Sequence, residues 1–120
     1  MTPGRTVLVV DDNPLVRETA RELFTDLGCS VVDAYNAADA ISVASQYHGA
    51  LSLALVDVRM PGAMDGLALA LLLRETFPSL PVVLTSGNCP PGAEAFRFVA
   101  KPWRPQELAR LVELPPRKVH

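Results

Sequence analysis

Short apolar runs alternate with longer segments of helical spacing along the chain: "TVLVV", "PLVRETARELFTDLG", "SVVDA", "AADAISVASQYHG", "LSLALVD", "DGLALALLLRETFP", "PVVLTS", "AFRFVA" and "PQELARLVEL". This alternation constrains the fold more than any other feature. Runs such as "VLVV" and "LALV", apolar at every residue, need cover on both faces, and such strands belong to parallel sheets whose crossovers are normally helices. The chain therefore reads as an α/β domain with a mostly parallel sheet. Helix boundaries agree: Asn13-Pro14 supplies an N-cap and a first-turn proline, Asn36 can cap the second helix, and Gly28 closes the first. With 120 residues, 49% of them hydrophobic, and no internal repeat or linker, residues 1–120 are expected to form a single domain.

In open parallel sheets, function gathers beyond the carboxyl ends of the strands. There the sequence places Asp11 and Asp12 after "TVLVV", Asp57 after "LALV", Ser86 after "VVLT" and Lys101 after "FRFVA". Taken singly, each has an ordinary reading: a helix-dipole charge, a loop residue, a turn former, a solvated lysine. Taken together, they each end a different apolar strand on one edge of the sheet, which coincidence explains poorly. Carboxylates crowded in this way repel unless a cation sits among them, and oxygen ligands of this kind suit Mg²⁺.

Other classes are disfavoured. A net charge of −2 gives no field for nucleic acid or an anionic membrane, and the basic end "PPRKVH" is too brief to change that. The start "MTPGR" lacks the apolar core of a signal peptide, and the longest apolar run, Leu67 to Leu73, is far short of a membrane span, so a cytoplasmic protein is expected. Cys29 and Cys89 lack the spacing of a metal knuckle or redox pair and read as reduced thiols.

The runs "VLVVDDNP", "LALVDVRMPGAMDG", "PVVLTSG" and "FVAKPW", in this order, make the chain resemble a receiver domain of the two-component response regulators over nearly its whole length. The resemblance implies a doubly wound, flavodoxin-like (βα)5 fold with a five-stranded parallel sheet of order 2-1-3-4-5. It also implies a site, residue by residue: Asp57 as phosphoacceptor, Asp11 and Asp12 as the acidic pair for Mg²⁺, and Arg59 lending its backbone carbonyl to the metal. Ser86 matches the switch hydroxyl, Lys101 the site lysine and Phe98 the aromatic switch position, here without a hydroxyl. Arg59 and Asn88 match positions that tune phosphoryl lifetime; Arg59 either shields the phosphoryl group or faces solvent. Gly87 leaves the approach to Ser86 open. The Lys101-Pro102 bond is expected to be cis on the same resemblance. The implied partner is a histidine kinase or histidine phosphotransferase.

One piece of the family pattern is missing. Between the strand ending at Ser86 and the strand carrying Phe98 lies only "GNCPPGAE", eight residues with two prolines and two glycines, where the family has a helix of several turns. Eight helical residues make only about two turns, and Pro90 and Pro91 oppose even those. The fourth helix is therefore expected to be absent or a single turn. That would leave the sheet partly bare near Phe96 and Phe98. The third helix is apolar all round, with Leu71 and Leu72 where the family usually carries charge. Together these features suggest an interface of Leu71, Leu72 and Phe96, used for a homodimer or a partner.

The leading expectation is thus a stand-alone receiver, without an output domain, that is phosphorylated on Asp57 with Mg²⁺ and signals through protein contacts. The alternative is a receiver-like dimerisation or interaction module that is not phosphorylated. A phosphatase of the aspartyl-nucleophile type would need a second acid two residues after Asp57, where Arg59 stands. The expected chemistry is that of a signalling module which catalyses only its own phosphorylation and dephosphorylation.

Overall fold

A computed structural model describes residues 4–47, 49–60, 62 and 64–117. Five parallel strands, β1 (Thr6–Val10), β2 (Ser30–Ala34), β3 (Leu51–Asp57), β4 (Val82–Ser86) and β5 (Arg97–Ala100), form one sheet of order β2-β1-β3-β4-β5. Helices α1 (Pro14–Asp26), α2 (Ala37–Gln46) and α3 (Gly66–Thr76) make the first three crossovers, and α4 (Pro105–Val112) follows the last strand. The doubly wound expectation and its strand order are borne out. Among the described residues, no helix is long and apolar enough to cross a membrane. Lys118 to His120 of the basic end lie outside the described residues.

Alternation along the strands divides the core in two. Leu8, Val10, Ala54, Val56, Val82 and Leu84 pack toward α2 and α3. Val7, Val9, Leu53, Leu55, Val83 and Val99 pack with Ala20 and Phe24 of α1 and Leu108 and Leu111 of α4. The helix ends use the expected devices. Asn13 Oδ1 accepts from Leu15 N at 2.9 Å and Asn36 Oδ1 from Asp39 N at 2.8 Å. At the end of α1, Gly28 has φ +87°, Gly28 N donates to the Thr25 carbonyl and Cys29 N to the Phe24 carbonyl, the paired bonds of a Schellman motif.

Between β4 and β5, a single 3₁₀ turn, Ala93–Ala95, stands where the sequence reading expects no more than one turn. The expectation of a partly bare sheet needs correction. Val82 and Leu84 are buried, Phe96 is only 9% exposed, and Phe98 is half-buried. The cover comes from two sources. Ala93 of the turn packs into the α2–α3 side of the core, and Arg74 of α3 lays its guanidinium 4.0 Å from the Phe96 ring centre while donating to the Ala95 carbonyl at 2.9 Å. A long side chain from the neighbouring helix thus covers an aromatic residue that a crossover helix would otherwise shield. Phe96 is accordingly withdrawn as an interface residue. Leu71 remains exposed at 45%, and Leu72 is partly exposed.

Replacing Arg74 by Met keeps the apolar stem but removes the hydrogen bond to Ala95 and the cation over Phe96. Urea denaturation should show a loss of about 1–2 kcal/mol, the sum of one hydrogen bond and one exposed cation–π contact. Unchanged stability would show that the turn holds without Arg74.

Candidate functional site

The carboxyl ends of β1 and β3 are adjacent in the sheet, with Val10 paired to Val56, so Asp11 and Asp12 just beyond β1 meet Asp57 at the end of β3. One ligand oxygen from each of the three carboxylates lies within 4.8 Å of the others. Asp11 and Asp57 are buried, whereas Asp12 is exposed. Lys101 arrives from the far side. It directly follows β5, and its backbone N–H donates to the Ser86 carbonyl at 2.9 Å, continuing the β4–β5 ladder by one residue. Its Nζ then lies 2.8 Å from Asp11 Oδ2 and 3.3 Å from Asp57 Oδ2. The Lys101-Pro102 peptide bond is cis, as expected.

Each carboxylate is further held by the backbone next to it. Asn13 N donates to Asp11 Oδ1 at 2.9 Å, and Arg59 N donates to Asp57 Oδ1 at 3.1 Å. The Arg59 residue itself is exposed. Ser86 is buried at the end of β4, and Thr85 before it is the register partner of Asp57. Phe98 pairs with Leu84, two residues before each strand's site end, and packs on the α2–α3 side of the core. The start of α3 closes over Asp57: Gly66 N donates to the Val58 carbonyl at 3.1 Å, and a Cβ on Gly66 would fall 1.9 Å from the Asp57 carbonyl oxygen. Only glycine permits that approach.

The electrostatics follow from this crowding. Burial pushes the Asp57 carboxyl above the ordinary carboxylate value, and the neighbouring Asp11 charge pushes the same way, against the Arg59 amide and the Lys101 charge. Burial opposes the charge of Lys101, but its hydrogen bond and attraction to Asp11, and then to Asp57, outweigh burial and raise its pKa. The site thus holds more negative charge than one ammonium comfortably neutralises. Acidic oxygens from Asp11, Asp12 and Asp57 at this separation fit a hard divalent cation such as Mg²⁺.

Four contacts lie outside what the sequence marks. Arg17 Nη1 donates to the Asp11 backbone carbonyl at 2.8 Å. Arg17 and Arg21 both lie 3.5 Å from the Asp33 carboxylate. Trp103 Nε1 donates to Thr85 Oγ1 at 2.8 Å across 18 residues of sequence. No spacing rule marks such pairs; the only available signal was a tryptophan two residues after the site lysine. Beside Lys101, an open groove of about 410 Å³ is lined by Leu15, Val16, Thr19, Pro102 and Trp103, with Leu15 71% exposed.

A stability test follows from the raised Asp57 pKa. A carboxyl whose folded pKa exceeds its unfolded value favours the folded state at low pH and loses that contribution as pH rises from about 3.8 through the folded value. In a chelating buffer, Asp57→Asn should therefore melt higher than wild type at pH 7, and the gap should narrow toward pH 4. A variant less stable than wild type at pH 7 would contradict the crowding.

The family model described as Response regulator receiver domain matches residues 7–113. The glycerol metabolism activator of Pseudomonas putida is 39% identical over 84 residues, which cover 68% of this chain and 37% of that protein. The sensor kinase CckA of Brucella abortus is 31% identical over 121 aligned positions, covering 94% of this chain and 13% of that protein. The chain thus spans only a minor part of these relatives. The response regulator protein TrrA of Thermotoga maritima, solved in complex with Mg²⁺ and BeF, superposes with a TM-score of 0.79 at 26% identity, covering 91% of this chain and 96% of that one. Its fold, its sequence runs and the family match agree: this chain belongs to the response regulator receiver domains of two-component systems.

Proposed function

We propose that the chain accepts a phosphoryl group on Asp57 from the phosphohistidine of a histidine kinase or histidine phosphotransferase. The observation that carries this reading is the Lys101 ammonium, 2.8 Å from Asp11 and 3.3 Å from Asp57, at the edge where Asp11, Asp12 and Asp57 converge. In the transfer, an Asp57 oxygen attacks phosphorus, the P–N bond breaks as the P–O bond forms, and the imidazole leaves with the electron pair and takes up a proton. Lys101, kept charged by its raised pKa, would pair with a phosphoryl oxygen once the group is on Asp57. The Ser86 hydroxyl, at the end of β4, would donate to another. Asp11, Asp12, Asp57 and the Arg59 carbonyl would hold Mg²⁺, which when bound neutralises charge on the carboxylates and on the transferring group.

The donor protein would cover the groove beside Lys101, where Leu15 offers apolar surface and Trp103 and Pro102 form the opposite wall. Sensor kinase CckA being a relative supports a partner of this class. The signal would leave through protein contacts in the cytoplasm, with Ser86 and Phe98 as the residues that report the change. A homodimer belongs to this proposal too, now confined to Leu71 and Leu72 of α3.

Incubation with Mg²⁺ and acetyl phosphate, read by intact mass, should give one phosphoryl adduct on wild type and none on Asp57→Asn. Lys101→Ala should be labelled at least tenfold more slowly, since it loses the only ammonium beside the site among the described residues. Labelling of Asp57→Asn at the wild-type level would sink the assignment. For the dimer, light scattering on phosphorylated protein should give twice the chain mass, and Leu71→Glu should return it to one; a monomeric wild type rules the homodimer out.

A further inference from the structure

Lys101 needs two constraints to stay between Asp11 and Asp57. One is the backbone bond from Lys101 N to the Ser86 carbonyl, which fixes the residue's start. The chain then leaves the sheet through Pro102, and among the described residues the next polar anchor is the Trp103 indole on Thr85. Thr85 is 1% exposed and lies in the middle of the site's framework: it is the register partner of Asp57, and its carbonyl accepts from Val58 N at 3.0 Å. The same residue thereby touches the strand that carries Asp57 through its backbone and the loop that carries Lys101 through its side chain.

We infer that Trp103 and Thr85 act as a positioning pair, which holds the loop of Lys101 at the distance from Asp57 that phosphoryl transfer requires. Three observations support it. The hydrogen bond is short, at 2.8 Å, and joins partly buried groups. The partly buried indole packs against the α1–α4 side of the core, so apolar packing holds it besides the hydrogen bond. Between the two anchors, at Lys101 N and Trp103 Nε1, lie only the lysine and the proline, so a shift of the second anchor is transmitted to the ammonium with little chain to absorb it. A buried threonine hydroxyl without its donor would also be left unpaired, which favours rearrangement over simple loss.

The inference rests on the phosphoacceptor reading for its rate measurement but not for its structural one. Thr85→Val removes the acceptor with little change of shape, Trp103→Phe removes the donor together with part of the ring, and Thr85→Ser keeps the hydroxyl. At equal folded fraction, checked by thermal melting, Thr85→Val and Trp103→Phe should each be labelled by acetyl phosphate about tenfold more slowly than wild type. The double variant should be no slower than either, and Thr85→Ser should remain near wild type. A crystal structure of Thr85→Val should show the Lys101 Nζ displaced from its 2.8 Å contact with Asp11. A merely structural role would lower the melting temperature and leave the rate per folded molecule and the lysine position unchanged. Thr85→Val labelled within twofold of wild type, with Lys101 in place, overturns the inference. If wild type itself takes no label, the phosphoacceptor reading fails, and the lysine position in Thr85→Val alone decides the positioning role: displaced supports it, unmoved overturns it.

Discussion

The ammonium of Lys101, held between Asp11 and Asp57, is the interaction on which the rest of the site depends. Two of these groups, Lys101 and Asp11, are 90 residues apart in sequence, so no local structure can bring them together. The sheet does it. With β1 beside β3 and β4 beside β3, the ends of all three strands and the loop after β5 open on one edge. Burying two carboxylates there is costly, and one ammonium offsets part of the cost while leaving an excess of negative charge that favours a cation. A fold with the same strands in another order would separate these charges and lose the site.

The same sheet is closed with little material between its last two strands. The crossover from β4 to β5 contains one 3₁₀ turn, and the face it leaves is closed by Ala93, by Phe96 turned into the core and by Arg74 from the preceding helix. An arginine is well suited to this, since its stem covers apolar surface while its guanidinium donates to a carbonyl and stacks on a ring. A receiver that reports through its fourth helix has an element that can shift as a body; here the corresponding surface is a turn tied to α3 by one hydrogen bond and one ring contact.

The sequence disclosed those parts that depend on runs and ends. Strands β1, β3 and β4 were legible because each carries an unbroken apolar run, VLVV, LALV and VVL, and the site was legible because Asp11, Asp57, Ser86 and Lys101 each sit at or just beyond a strand's end. The shortness of the fourth crossover followed from counting residues and noting Pro90 and Pro91. What covers the sheet was not legible. Phe96 was expected to be exposed because its shielding residue lies 22 positions earlier on a different element, and nothing about Arg74 in sequence distinguishes it from a solvated arginine. Trp103 and Thr85 were hidden for the same reason: a hydrogen bond across 18 residues follows from register and loop geometry, which runs of residue type do not encode.

The central claim is that one carboxylate at this edge, that of Asp57, takes the phosphoryl group on one of its oxygens. Tandem mass spectrometry of the protein after transfer from a phosphorylated histidine phosphotransferase, digested at low pH to preserve the acyl phosphate, locates the group directly. The account predicts that it lies on Asp57 alone. A phosphoryl group on Asp11, Asp12 or a residue outside the site would contradict it.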